Sequence, residues 1–145
     1  MARQQKRKLP NLSIIEDLKN ASLESFKQGH YLQSGIIIFQ IVESLLRIAI
    51  RAYGRGNNID EESLQKAADD EISFARLVLH FNLIYPENKI GKRLTEFNNT
   101  RNRIIHRLFI DFESMNSLEE CLKDFCMEGI KLNQLITKLL GVTNT

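Results

Sequence analysis

Residues 31–53 read YLQSGIIIFQIVESLLRIAIRAY. Taken alone, the β-branched run Ile36-Ile37-Ile38 suits a strand. Its neighbours decide otherwise, because apolar residues keep a helical period over many turns from Tyr31 to Tyr53. From Ile36 to Ile50 the surface is apolar nearly all round, which places this helix at the centre of a bundle. The polar strip left to it is narrow and holds Gln33, Gln40, Ser44, Arg47 and Arg51. Glu43 is the only acid in the apolar middle. The stretch from Gly35 to Ile50 is interrupted by Gln40, Glu43, Ser44 and Arg47, and is too short and too polar for a membrane span. The cluster Gly54-Arg55-Gly56-Asn57-Asn58 is read as the stop after Tyr53.

On the N-terminal side of this stretch, Asn11 or Ser13 is the expected N-cap of a first helix that runs to about Gln28 and ends at Gly29. On the other side, Asp60 caps a short helix through Ala67, with acids that suit its first turn. A further helix covers about Ser73 to Leu83, and Pro86 and Asn88 break the chain. A long helix is expected from Lys89 to Phe109. A last one begins at a capping box formed by Ser117 with Glu120 and runs to about Leu140. The fold class expected is all-α, an up-and-down bundle of four main helices plus short ones.

Composition agrees with one such domain. The chain has 145 residues, 43% hydrophobic and 26% charged, with seven Gly, two Pro and no Trp. That balance is globular and disfavours loop-rich sandwiches and disordered chains. The net charge is +2, but residues 1–8, MARQQKRK, hold four basic groups and no acid. The reading is a disordered basic tail over 1–10 and a single domain over 11–145. The body is near neutral, so the general basic footprint of a duplex binder is missing and any nucleic-acid contact must be local. Cys121 and Cys126 diverge by roughly 140° along a helix and should not bridge. No Cys/His set has zinc spacing, and His30 and His80 lack metal-spaced partners. Met115, Met127 and the Phe residues at helical spacing read as core. With no apolar run after the first charges, no signal peptide is expected, and the expected setting is cytoplasmic, with no membrane and no cofactor.

The segment that carries chemistry is TEFNNTRNRIIHR, residues 95–107. On a helical wheel, Leu94, Phe97, Ile104, Ile105 and Leu108 lie within about 60° of Arg101. Asn98, Asn102, Thr95 and His106 form a polar strip beside that seam. A guanidinium on an apolar seam needs an anion. Three candidates stand: Glu43, a bound phosphate, or a carboxylate from a partner subunit. Lys89, Lys92, Arg93, Arg103 and Arg107 add positive charge around the same helix, as a shallow groove or as a merely solvated face.

The stretch R-N-R-I-I-H at 101–106 resembles the signature of HEPN-type domains: an Arg, a polar residue, a few more residues and a His. The string Y-L-Q-S-G-I-I-I-F-Q-I-V-E-S-L-L-R, with its acid at Glu43, looks like the long helix of that superfamily, and the motif falls on the penultimate long helix. The resemblance spans roughly residues 20 to 140. A looser similarity connects the chain with the mannitol operon repressor group, which shares an R-N-x-x-x-H type of ending. What the HEPN resemblance implies is a homodimer through the 90–109 helix, in which two motif helices form one RNA-cleaving cleft without metal. Carried onto this chain, His106 exchanges the proton, Arg101 holds the phosphate, and Asn102 positions one of them. Glu43 and Asn98 support the site, and Arg93, Arg103 and Arg107 contact RNA. A cognate antitoxin protein is a further implied partner. Two other readings remain: a non-catalytic module that binds RNA, a nucleotide or a protein, and a helical regulator in which an Arg101–Glu43 pair is purely structural.

Overall fold

The computed structural model describes residues 12–58, 60, 62, 63, 66, 72–86, 89–107 and 112–141. Within them the fold is all-α: α1 (Leu12–Lys27), α2 (Tyr31–Gly56), α3 (Phe74–Ile84), α4 (Gly91–His106) and α5 (Met115–Leu139). The four longer helices follow the up-and-down order, and α3 lies in the connection between α2 and α4. Asp60 accepts a hydrogen bond from the Ser63 amide at 3.0 Å, as a cap should. Residues 62, 63 and 66 are helical; the rest of the expected 60–67 helix, the tail 1–10 and Leu108 to Asp111 lie outside the described residues. No described helix is long and apolar enough to cross a membrane.

Helix α1 closes at Gly29, whose φ of 80° is open to glycine at little cost. The amide of His30 donates to Ser25 at 2.8 Å and that of Gly29 to Phe26 at 3.0 Å, a Schellman arrangement. The chain turns straight into α2. There Ser22 and Ser34, both buried, clasp the two helices reciprocally: each hydroxyl reaches the other's backbone carbonyl, at 3.0 and 2.9 Å. The two backbones can approach this closely because both side chains are small and each finds its acceptor.

Three helices differ from expectation at their ends. Helix α4 spans Gly91–His106 rather than 89–109, because Arg107 leaves the helical region at φ −128° and ψ 28°. Helix α2 continues three residues past Tyr53, to Gly56. A glycine weakens a helix by only about 1 kcal/mol, so the pair does not stop it. The stop is Asn57, whose side-chain amide donates to the Tyr53 carbonyl at 2.9 Å, followed by Asn58 at φ 57°. Helix α5 starts at Met115, with the capping box on Ser114 and Ser117 rather than on Ser117 and Glu120. A hydroxyl at the third position reaches back as well as a carboxylate would.

Helix α2 is the centre. Ile38, Ile41, Val42, Leu45, Leu46, Ala49 and Ile50 are all buried in it, and α1, α3 and α5 pack around it. Its contacts with α5 ascend together along both chains, from Gly35 against Phe125 to Ile38 against Gly129, so these helices run parallel. Helix α4 runs against α5, since Arg93 meets Glu128 while Arg103 lies over Phe112, ahead of α5. A Cβ on Gly129 would sit 2.9 Å from Ile38 and 3.1 Å from Phe97, so the close approach of three helices depends on that glycine. Phe39, Phe74, Phe97 and Phe125 form one aromatic cluster from four helices; Phe97 and Phe125 stack at 4.3 Å.

The Phe expectation holds for these four residues and for Phe81, and fails for the methionines. Met115 and Met127 are exposed, because the buried stripe of α5 runs Leu122, Phe125, Cys126, Gly129, Leu132, Asn133, Ile136 and both lie off it. Cys121 and Cys126 are free thiols. Cys126 is buried and donates to the Tyr31 carbonyl at 3.2 Å.

Candidate functional site

Helix α4 positions the motif. Leu94, Phe97 and Ile104 are buried on its inner face. Arg101 follows Phe97 by four residues and precedes Ile104 by three, so its side chain leaves the helix on the same face. Its Cζ lies 4.4 Å from the centre of the Phe39 ring, a cation–π contact that caps the aromatic cluster. The guanidinium is half-buried, and its Nη1 donates to Asn102 Oδ1 at 3.4 Å. Among the described residues no acid pairs with it.

The Arg101–Glu43 pair, one of the three candidates for answering this guanidinium, is therefore absent among the described residues. Glu43 instead accepts from Arg47 at 2.8 Å, one turn on along α2. Arg47 is 6% exposed, and its other arm donates to the Ile72 carbonyl at 3.1 Å. A guanidinium so buried needs the carboxylate more than the half-exposed Arg101 does. The i,i+4 spacing of Glu43 and Arg47 carries this signal in the sequence, and placing Arg47 in the polar strip passes over it.

Arg101 opens onto a groove of about 210 Å³ between α2, α4 and α5. Leu32, Ile36, Gln40 and Glu43 line it from α2, with Ile104 and Ile105 beside Arg101 on α4. Leu32, Ile36 and Ile105 are each about half exposed, at 54%, 51% and 51%. The wheel put Ile105 in the core seam; instead it forms the rim of this groove. In the sequence Gln40 stands out only as a member of the narrow polar strip on α2.

The other motif residues are spread around α4. Asn98 and Asn102 are half-buried. Thr95 spends its hydroxyl on the Gly91 carbonyl of its own helix, at 3.1 Å. His106 is the last residue of α4, fully on the surface, and does not line the groove. Arg101 and His106 differ by about 7.5 Å in rise and roughly 140° in direction, so one protomer does not bring them to one point.

The surrounding cations are not a continuous basic strip. Arg93 holds Glu128 with two hydrogen bonds, at 2.7 and 3.0 Å, and this pairing pushes its guanidinium above the usual range. Arg103 lies over Phe112 at 5.5 Å. Arg93 and Arg103 border a second, wider groove between α4 and α5 that also holds Glu96, Asp124 and Glu128. Arg107 is exposed just beyond α4. Among the described residues no group of three His, Cys, Asp or Glu side chains stands ready to hold a metal.

Comparison with protein-family models, with curated proteins and with solved structures returns no match to this chain. The chemistry is therefore argued from the groove and the motif helix themselves. They offer a cation that faces a groove and, separately, an exposed imidazole at the end of the same helix.

Proposed function

We propose that the chain is an HEPN-like endoribonuclease, acting as a homodimer and without metal, with Arg101, Asn102 and His106 as its working residues. The observation that carries this reading is that Arg101 is held on Phe39, pairs with no acid among the described residues, and faces an open groove. A guanidinium in that position is suited to a phosphate, which it meets with charge-assisted hydrogen bonds. In the reaction the ribose 2′-oxygen attacks the adjacent phosphorus as its proton passes to an imidazole. The bond from phosphorus to the 5′-oxygen breaks, and that oxygen receives a proton. The products are a 2′,3′-cyclic phosphate and a 5′-hydroxyl. His106 exchanges the protons, and Arg101 stabilises the charge that grows on the phosphoryl oxygens. The angular separation of the two residues supports a cleft shared by two copies, the motif helix of each supplying what the other lacks. A toxin or defence role, with a cognate antitoxin, belongs to this proposal.

The test is incubation of the purified protein with RNA in chelator, followed by end-group analysis. The expected result is fragments with cyclic phosphate ends, lost in His106→Ala. Because His106 is exposed, this variant should keep its thermal midpoint within about 2 °C. RNA binding without fragments would select a non-catalytic module instead. Absence of both binding and cleavage at low salt would leave a helical interaction protein.

A further inference from the structure

The groove beside Arg101 carries more than a phosphate contact. Its volume, about 210 Å³, lies below the roughly 300–1,000 Å³ of pockets for drug-sized ligands. It suits one flat ring system. Leu32 and Ile36 on one side and Ile105 on the other give it aliphatic walls. Two polar side chains enter from α2: Gln40 and Glu43, three residues apart and so on one face of the helix. Gln40 is exposed and free of hydrogen bonds to other described residues. Glu43 gives one oxygen to Arg47, and an ionised carboxylate still has about three acceptor positions after one bond.

We infer that this groove is a subsite that reads guanine in an RNA strand whose phosphate is held by Arg101. The inference rests on the nucleic-acid reading above. An acceptor-only carboxylate selects an edge with two adjacent N–H groups. Guanine presents N1–H and the N2 amino group side by side, whereas adenine, cytosine and uracil each present an acceptor beside their donor. The Gln40 amide can donate to guanine O6 at the far end of the same edge. Unstacked bases in single strands are read on this edge while apolar or planar side chains cover their faces. The half-exposed aliphatic rim is unsuited to a bare sugar–phosphate chain and suited to a ring.

The experiment is calorimetric titration of the full chain with guanosine, adenosine, cytidine and uridine 5′-monophosphates, and with ribose 5-phosphate. Guanosine monophosphate should bind at least roughly tenfold more tightly than the other three nucleotides, the scale of a bidentate base contact. Glu43→Gln, which keeps a hydrogen bond to Arg47, should remove that preference. Gln40→Leu, at an exposed position, should weaken guanosine monophosphate and leave ribose 5-phosphate unchanged. Arg101→Ala should weaken all five alike. Equal affinities for the four nucleotides would overturn the subsite, as would a guanine preference untouched by both α2 variants. If RNA is still cut under those outcomes, the nuclease reading survives and only the subsite falls. If neither nucleotides nor RNA bind, because a second copy covers the groove or for any other reason, both fall.

Discussion

Arg47 and Arg101 answer the same physical demand in opposite ways. Each carries a guanidinium into an apolar setting, where an unpaired charge is costly. Arg47 is deeply buried and holds Glu43 and the Ile72 carbonyl. Arg101 stays half-buried, rests on Phe39 and pairs with no acid among the described residues. The two sides of the Glu43–Arg47 pair should respond unequally to mutation. Glu43→Ala strands a buried cation and should cost about 3 kcal/mol in urea unfolding. Arg47→Met leaves a carboxylate that is 30% exposed and can turn to water, and should lie within about 1 kcal/mol of the parent. Equal losses would mean that Arg47 does not need its partner. The position of Arg101 on the apolar face of its helix was legible from spacing alone. The choice of partner for Glu43 was not, because it depends on how deeply Arg47 is buried and on its reach to the Ile72 carbonyl, which no single-helix pattern contains.

At the scale of elements, helix type and order followed from periodicity, and the end points did not. Gly54 and Gly56 signalled a stop, yet the helix ran on to Asn57, since a side-chain amide and a left-handed residue terminate it more firmly than weak propensity does. The start of α5 moved for a similar reason: Ser114 and Ser117 satisfy each other's backbone amides. Ser114→Ala should therefore cost about 1 kcal/mol, whereas Glu120→Ala should be close to neutral; thermal melts of the two variants separate these assignments. The seam of α2, α4 and α5 gives a sharper test. Gly129→Ala gains at most about 1 kcal/mol of helix propensity. Against this, its new methyl group meets Ile38 and Phe97 at distances that force the core to shift, at about 1–3 kcal/mol. The net effect in denaturant unfolding should be destabilising. A stabilised variant would show that these helices are less closely packed than described.

For the molecule as a whole, alkaline pH reports on the core. Burial pushes both thiols, Cys121 and Cys126, above the ordinary 9.0, and likewise raises the Tyr85 phenol above 10.0. In the unfolded chain these groups lose their protons first, so the folded state binds more protons from about pH 9 upward. Their contribution to stability should therefore fall as pH rises past that point. Replacing Cys126 by Ala should shallow the fall measured by urea unfolding between pH 8 and 10. An unchanged slope would place the origin of the effect elsewhere. The near-neutral body matters at this scale too, because it leaves recognition to a few positioned groups rather than to bulk attraction.

The proposed nuclease needs Arg101 of one copy and His106 of another in one shared RNA-cleaving cleft, and mixing two inactive variants decides whether it has one. Arg101→Ala and His106→Ala should each be inactive alone. Unfolded together, refolded in equal amounts and assayed on RNA in chelator, they should recover about a quarter of the parental rate, since half of the dimers then carry one intact composite site. A mixture as inactive as its components, beside a parent that cuts, would contradict the shared cleft.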